Sequence, residues 1–99
     1  MTLTLLEKEV ERVKKFSKNM GIGLYLRELR EALGIKQYRC AQFCGMQPLR
    51  YKALECENFT KLPQLHELEA IAELYDVDPQ ELMIKCNEFL EYQRERLKK

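Results

Sequence analysis

The chain is poor in the residues that carry covalent and acid–base chemistry. Its 99 residues include one histidine, His66, and one serine, Ser17. No serine-nucleophile motif, glycine-rich phosphate cradle or convincing carboxylate pair accompanies them, so an enzyme is not expected. No apolar run approaches the ~20 residues needed to span a bilayer. The N-terminus lacks a basic start followed by an apolar block, so a cytoplasmic location is the expectation. No segment alternates apolar and polar residues as a strand would, and no repeat, low-complexity tract or linker interrupts the chain. What remains is a single all-helical domain with short loops.

Cysteine is present four times, at Cys40, Cys44, Cys56 and Cys86. Without an export signal the thiols are expected to stay reduced and to act as small buried hydrophobes. Cys40 and Cys44 share one helix face at core positions. A zinc site built from Cys40, Cys44, Cys56 and His66 would lack the paired short-spacing knuckle that structural zinc favours. No metal or other cofactor is therefore expected.

Charge is nearly balanced overall, with 17 Lys and Arg against 16 Asp and Glu. Its distribution is uneven. Residues 35–61 hold five basic side chains against two acidic ones, a net +3, whereas residues 62–91 hold one basic against eight acidic, a net −7. This pattern suggests an oriented molecule, one side toward phosphates and the other away.

Apolar spacing predicts six helices. Thr4-Leu5-Leu6-Glu7 has the form of a capping box and opens a helix over 4–20, with Leu6, Val10, Val13, Phe16 and Met20 on one face. Gly21-Ile22-Gly23 ends it. Ile22, Leu26, Leu29 and Leu33 mark a second helix, stopped at Gly34 as a left-handed cap. Gln37 to Cys44 forms a third, stopped by Gly45. Pro48 begins a fourth, where proline's missing N–H had no partner anyway, with Tyr51 and Leu54 inward. After a loop at 56–62, Pro63 begins a fifth helix with Leu65, Leu68, Ile71, Ala72 and Leu74 inward. Asp78-Pro79-Gln80-Glu81 is a second capping box. It starts a last helix to about Leu97, striped by Leu82, Cys86, Phe89, Gln93 and Leu97, with Lys98-Lys99 suiting its negative dipole end.

The stretch from Ile35 to Glu55 carries the most information. It contains the hydrophobic-x-Gln step Ile35-Lys36-Gln37, the small helix-packing residue Ala41, the turn glycine Gly45 and the closing pair Leu54-Glu55. Downstream come Leu65 to Tyr75 and then Val77-Asp78-Pro79-Gln80-Glu81-Leu82. In this order these features resemble the phage-repressor (Cro/Xre-type, lambda-repressor-like) helix-turn-helix family over residues 22–84. Residues 4–20 are then an additional N-terminal helix and 85–99 a C-terminal extension. The resemblance implies a compact bundle of about six helices and a sequence-specific transcriptional regulator, such as a repressor, bound to double-stranded DNA. The helix from Pro48 to Glu55 would enter the major groove.

The same resemblance implies the contact residues. Gln37 matches the family glutamine that meets a DNA phosphate. Gln47, Leu49, Arg50 and Lys52 occupy the start and outer side of the recognition helix. Asn58 and Lys61 lie in the loop that also meets the backbone. An arginine such as Arg50 can bridge a guanine with two donors. Pro48 and Leu49 stand where the family often has polar residues, and Leu49 offers apolar contact, for instance to a thymine methyl. The common glycine after the recognition helix is missing, and Asn58 is the candidate for a left-handed conformation in its place.

Repressor-like domains read two half-sites as two-fold dimers. Leu82, Phe89, Leu90 and Leu97 are the candidate dimer surface, and the stripe Leu6, Val10 and Val13 is assigned to the core. The alternative on the same scaffold is a protein-interaction module, an antitoxin or adaptor whose partner covers the acidic half.

Overall fold

Gly34 and Gly45 adopt the left-handed conformation, with φ of 69° and 66°, and make the two sharp turns that organise the middle of the chain. Only a residue without Cβ does this at little steric cost. The computed structural model describes residues 5–97, which form six α-helices and no strand. They are α1 (Leu5–Lys15), α2 (Ile22–Leu33), α3 (Gln37–Phe43), α4 (Pro48–Glu55), α5 (Leu65–Tyr75) and α6 (Pro79–Leu97). Thr4 of the first capping box, the Leu6 side chain and Lys98-Lys99 lie outside the described residues.

The first helix is shorter than its apolar spacing predicts. It stops at Lys15, a 3-10 turn follows at Ser17–Asn19, and Met20 is extended. The turn that follows is tied to α6: Lys85 Nζ donates to Ser17 O and to Met20 O, both at 2.6 Å. The same ammonium lies 4.9 Å from the centre of the Tyr25 ring. A buried cation is thereby satisfied by two carbonyls and an aromatic face. Phe16, expected to widen the inner stripe, falls on the outward side of this turn and is exposed.

Gly21 and Gly23 do not end α1 together, as the sequence predicts, but divide the work. Gly21 precedes α2 as its cap, and Gly23 lies inside α2. A Cβ on Gly23 would stand 2.4 Å from Glu55 O, so the missing side chain lets α2 cross close to the end of α4.

All six helices contribute to one core. Val13 comes from α1; Ile22, Tyr25, Leu26 and Leu29 from α2; Cys40 and Ala41 from α3; and Tyr51 and Leu54 from α4. Leu68, Ile71, Ala72 and Tyr75 come from α5, and Leu82 and Cys86 from α6. Each large apolar side chain withdrawn from water contributes on the order of 1.5–3 kcal/mol before conformational entropy is counted. Tyr75 brings a polar tip into this core. Its hydroxyl lies 2.5 Å from the Tyr51 hydroxyl and 3.1 Å from Cys40 Sγ, so these buried polar groups satisfy one another.

The last helix corrects the candidate dimer surface. Leu82 and Leu90 are buried within the chain, and Phe89 packs on Phe59 with ring centres 4.8 Å apart. These side chains are used up by the fold. Leu97 is 84% exposed, and Tyr92 stands with it on the outer half of α6. Val10 and Val13 pack inward, as assigned from the sequence.

The fifth helix starts two residues later than expected, after Gln64 rather than at Pro63. Glu67 reaches back to accept the Gln64 N–H at 2.9 Å, the carboxylate arm of a capping box. Leu65, on the first turn of α5, is exposed rather than inward. At α6, Asp78 Oδ1 accepts the Gln80 N–H at 2.9 Å. Glu81 turns to Tyr25 instead; burial, reinforced by that carboxylate, pushes the Tyr25 phenol up. No described helix is long and apolar enough to cross a membrane.

Candidate nucleic-acid interface

Helices α3 and α4 are joined by a tight turn. The Gly45 N–H donates to Gln42 O, and the Met46 N–H donates to Ala41 O at 2.8 Å. Both bonds depend on the left-handed Gly45 and close the end of α3 in the manner of a Schellman motif. Gln47 is extended and Pro48 follows as the first residue of α4. The inner side of α4 is fixed by Tyr51 and Leu54, both buried. Its outer side presents Leu49, 78% exposed, with Lys52 and, just before the helix, Gln47, both exposed.

The far end of α4 is locked by Glu55, whose side chain is only 2% exposed. Its carboxylate accepts Arg30 Nε at 2.8 Å and Gln37 Nε2 at 3.1 Å. Arg30 Nη1 also donates to Ile35 O at 2.9 Å. One buried carboxylate thus ties α2, the start of α3 and the end of α4 together. It also orients Gln37: one Nε2 hydrogen is engaged, and the other hydrogen and the carbonyl oxygen remain for an outside partner. Gln37 is half-buried at this junction.

The chain leaves α4 through a left-handed residue, and that residue is Glu57 (φ 54°), not Asn58. The helix runs to Glu55 with Cys56 as its cap, which places the reversal at residue 57. The Asn58 N–H then donates to Ala53 O at 2.8 Å, and its side chain is exposed, as is Lys61.

Four of the sequence-selected residues come together. Leu49, Arg50, Asn58 and Lys61 line one groove of about 580 Å³ between α4 and the following loop, floored by Ala53, Leu54, Phe59, Leu62 and Pro63. Gln47, just before α4, and Lys52, on it, stand outside the groove, and Gln37 lies near the opposite end of the helix. Two neighbours escaped selection from the sequence. Arg39, over the Tyr38 ring, faces Pro48 across a second groove shared with Gln42 and Met46. The other is Glu67.

Arg50 is not a free surface cation. Its Nε donates to Glu67 Oε2, and its Nη2 donates to Glu67 Oε1 at 2.7 Å. These bonds pull the Glu67 carboxyl below the usual glutamate range; burial opposes the shift, and the Gln64 N–H adds to it. The pairing partner lies 17 positions away on another helix, so helical spacing gives no sign of it.

Two of the four cysteines belong to the core, and Cys56 departs from the expectation that all four are buried. Cys40 and Cys86 are buried, Cys44 is half-buried and Cys56 is exposed. Among the described residues no three of the His, Cys, Asp and Glu side chains group as metal ligands would. No family model, curated protein or solved structure matches this chain.

Proposed function

We propose that this chain is a sequence-specific DNA-binding transcriptional regulator, with α3, the Gly45 turn and α4 working as the helix-turn-helix of Cro/Xre-type repressors does. The observation that carries the reading is the division of α4. Tyr51 and Leu54 fasten one side to the core, while Gln47, Leu49 and Lys52 stand clear on the other. A helix held from behind and open in front can lie in a groove about 12 Å wide. Gln37, Asn58 and Lys61 would hold phosphates at its flanks, and Leu49 suits a thymine methyl. The net +3 of residues 35–61 against the net −7 of residues 62–91 would orient the face toward DNA. No cofactor enters this reading. A two-fold dimer would place two α4 helices on half-sites one DNA turn apart, or a multiple of it.

Selection from a random duplex pool, followed by sequencing, tests both parts. A palindromic motif is the expected outcome. An unenriched pool at moderate salt would end the DNA-binding reading.

A second reading is favoured by one observation. Leu49 is largely exposed beside an apolar-floored groove, and Arg50 is already paired. On that reading the face takes a protein partner, as an antitoxin or adaptor would. A partner retained from lysate after nuclease treatment, together with the unenriched pool, would support it.

A further inference from the structure

Arg50 stands in the first turn of α4, the part of a groove-bound helix whose side chains meet base edges. Its guanidinium is engaged along one edge only. Glu67 takes the Nε hydrogen and one Nη2 hydrogen, a side-on pairing. A guanidinium has five N–H donors in a fixed fork, so the second Nη2 hydrogen and both Nη1 hydrogens are left on the outer edge. The Arg50 side chain is 51% exposed and that of Glu67 8%, so the pair is anchored on its inner side and open on its outer side.

The anchor is itself fixed. Glu67 Oε1 also accepts the Gln64 N–H, which pins the carboxylate to the start of α5. Arg50 therefore loses its side-chain freedom on folding rather than on binding, the preorganisation that favours a directional contact. The outer edge of an arginine held this way matches O6 and N7 of a guanine, the pair of acceptors that marks that base in the major groove. The ion pair also explains how a carboxylate is tolerated beside DNA: its charge is cancelled before a phosphate comes near.

We propose that Glu67 is the positioning residue for Arg50, a side-on clamp that presents the Nη1–Nη2 edge to one guanine in each half-site. This rests on the DNA-binding reading of α4 and adds to it a named base and a residue outside the helix.

The test uses the full chain and the duplex that it selects from the random pool, together with three duplexes in which the guanine pair is replaced by each alternative. Wild type is expected to prefer the guanine duplex by about 10-fold or more. Arg50→Ala is expected to bind all four alike. Glu67→Gln keeps a residue that serves at this place in a capping box, so its melt should remain cooperative. Its guanine preference is expected to fall by about threefold or more, with the other three affinities little changed. A wild-type measurement stands beside the variants: the Arg50 Nε–H resonance should stay protected from exchange when the selected duplex is added. Full guanine preference in Glu67→Gln, or loss of that protection on binding, overturns the clamp while leaving DNA binding intact. Equal weakening of all four duplexes by Arg50→Ala also overturns it, because that marks a phosphate contact. An unenriched pool overturns the clamp and the DNA-binding reading together.

Discussion

Arg30 and Glu55 meet at 2.8 Å, with both side chains largely withdrawn from solvent, at the point where α2, α3 and α4 converge. Glu55 also holds Gln37. Removing the carboxylate leaves a half-buried guanidinium without its partner, a change that costs about 3 kcal/mol or more. Glu55→Ala is therefore expected to lower the melting temperature by roughly 12 °C or more in a chain of this size. Thermal unfolding followed by circular dichroism checks this, and a shift of only a few degrees would show that the pair is dispensable.

Gly23 is the place where α2 passes the end of α4. Alanine normally favours a helix interior by about 1 kcal/mol over glycine. Here its Cβ would meet the Glu55 carbonyl at 2.4 Å, and a backbone atom cannot swing aside. Gly23→Ala is expected to lose about 1–2 kcal/mol in urea denaturation, because overpacking outweighs the helix gain. A stabilised variant would mean that the helices can part at little cost.

The thiols should differ sharply in reactivity. Cys56 is exposed. Burial pushes the Cys44 thiol up to about 11 and the Cys86 thiol up to about 12, and Cys40 has no solvent contact. The thiolate is the nucleophile. Iodoacetamide on the native chain at mildly alkaline pH is expected to label Cys56 alone, with the other three following only in denaturant. Peptide mass mapping reads the result, and early labelling of Cys86 would contradict the packing of α6.

Acid should dissolve the Arg50–Glu67 pair. Arg50 lowers the Glu67 pKa, burial opposes that shift, and the Gln64 N–H assists it. A folded-state pKa below the unfolded value gives stability that is fully present at neutral pH and is lost as pH falls through the folded pKa, below the usual glutamate range. The stability gap between wild type and Glu67→Gln is thus expected to be widest near neutrality and to close in acid. Denaturation midpoints at several pH values measure it. A gap that widened in acid would reverse the assigned direction.

The residues that could be placed from sequence are those whose behaviour is local. Gly34 and Gly45 take positive φ, Pro48 opens α4, and Tyr51 and Leu54 turn inward, each for a reason contained within one helix or turn. The misses depend on contacts between distant segments. Gly23 matters because of Glu55, Arg50 because of Glu67, and the turn after α1 is held by Lys85 from α6. The stripe that holds Leu82 and Leu90 reads as a partner surface because a stripe does not reveal what covers it. In this chain the core covers them. The left-handed residue after α4 is Glu57, one position before Asn58, because its place follows from where the helix stops, whereas residue type alone favours Asn58.

The most direct measurement is the amide spectrum of the ¹⁵N-labelled chain during titration with its selected duplex. If α4 lies in the groove, the amides of Gln37, Gln47, Leu49, Lys52, Asn58 and Lys61 shift and saturate together, while those along α1 stay in place. If these six stay still while resonances elsewhere move, or if nothing moves at all, α4 is not the surface that meets DNA.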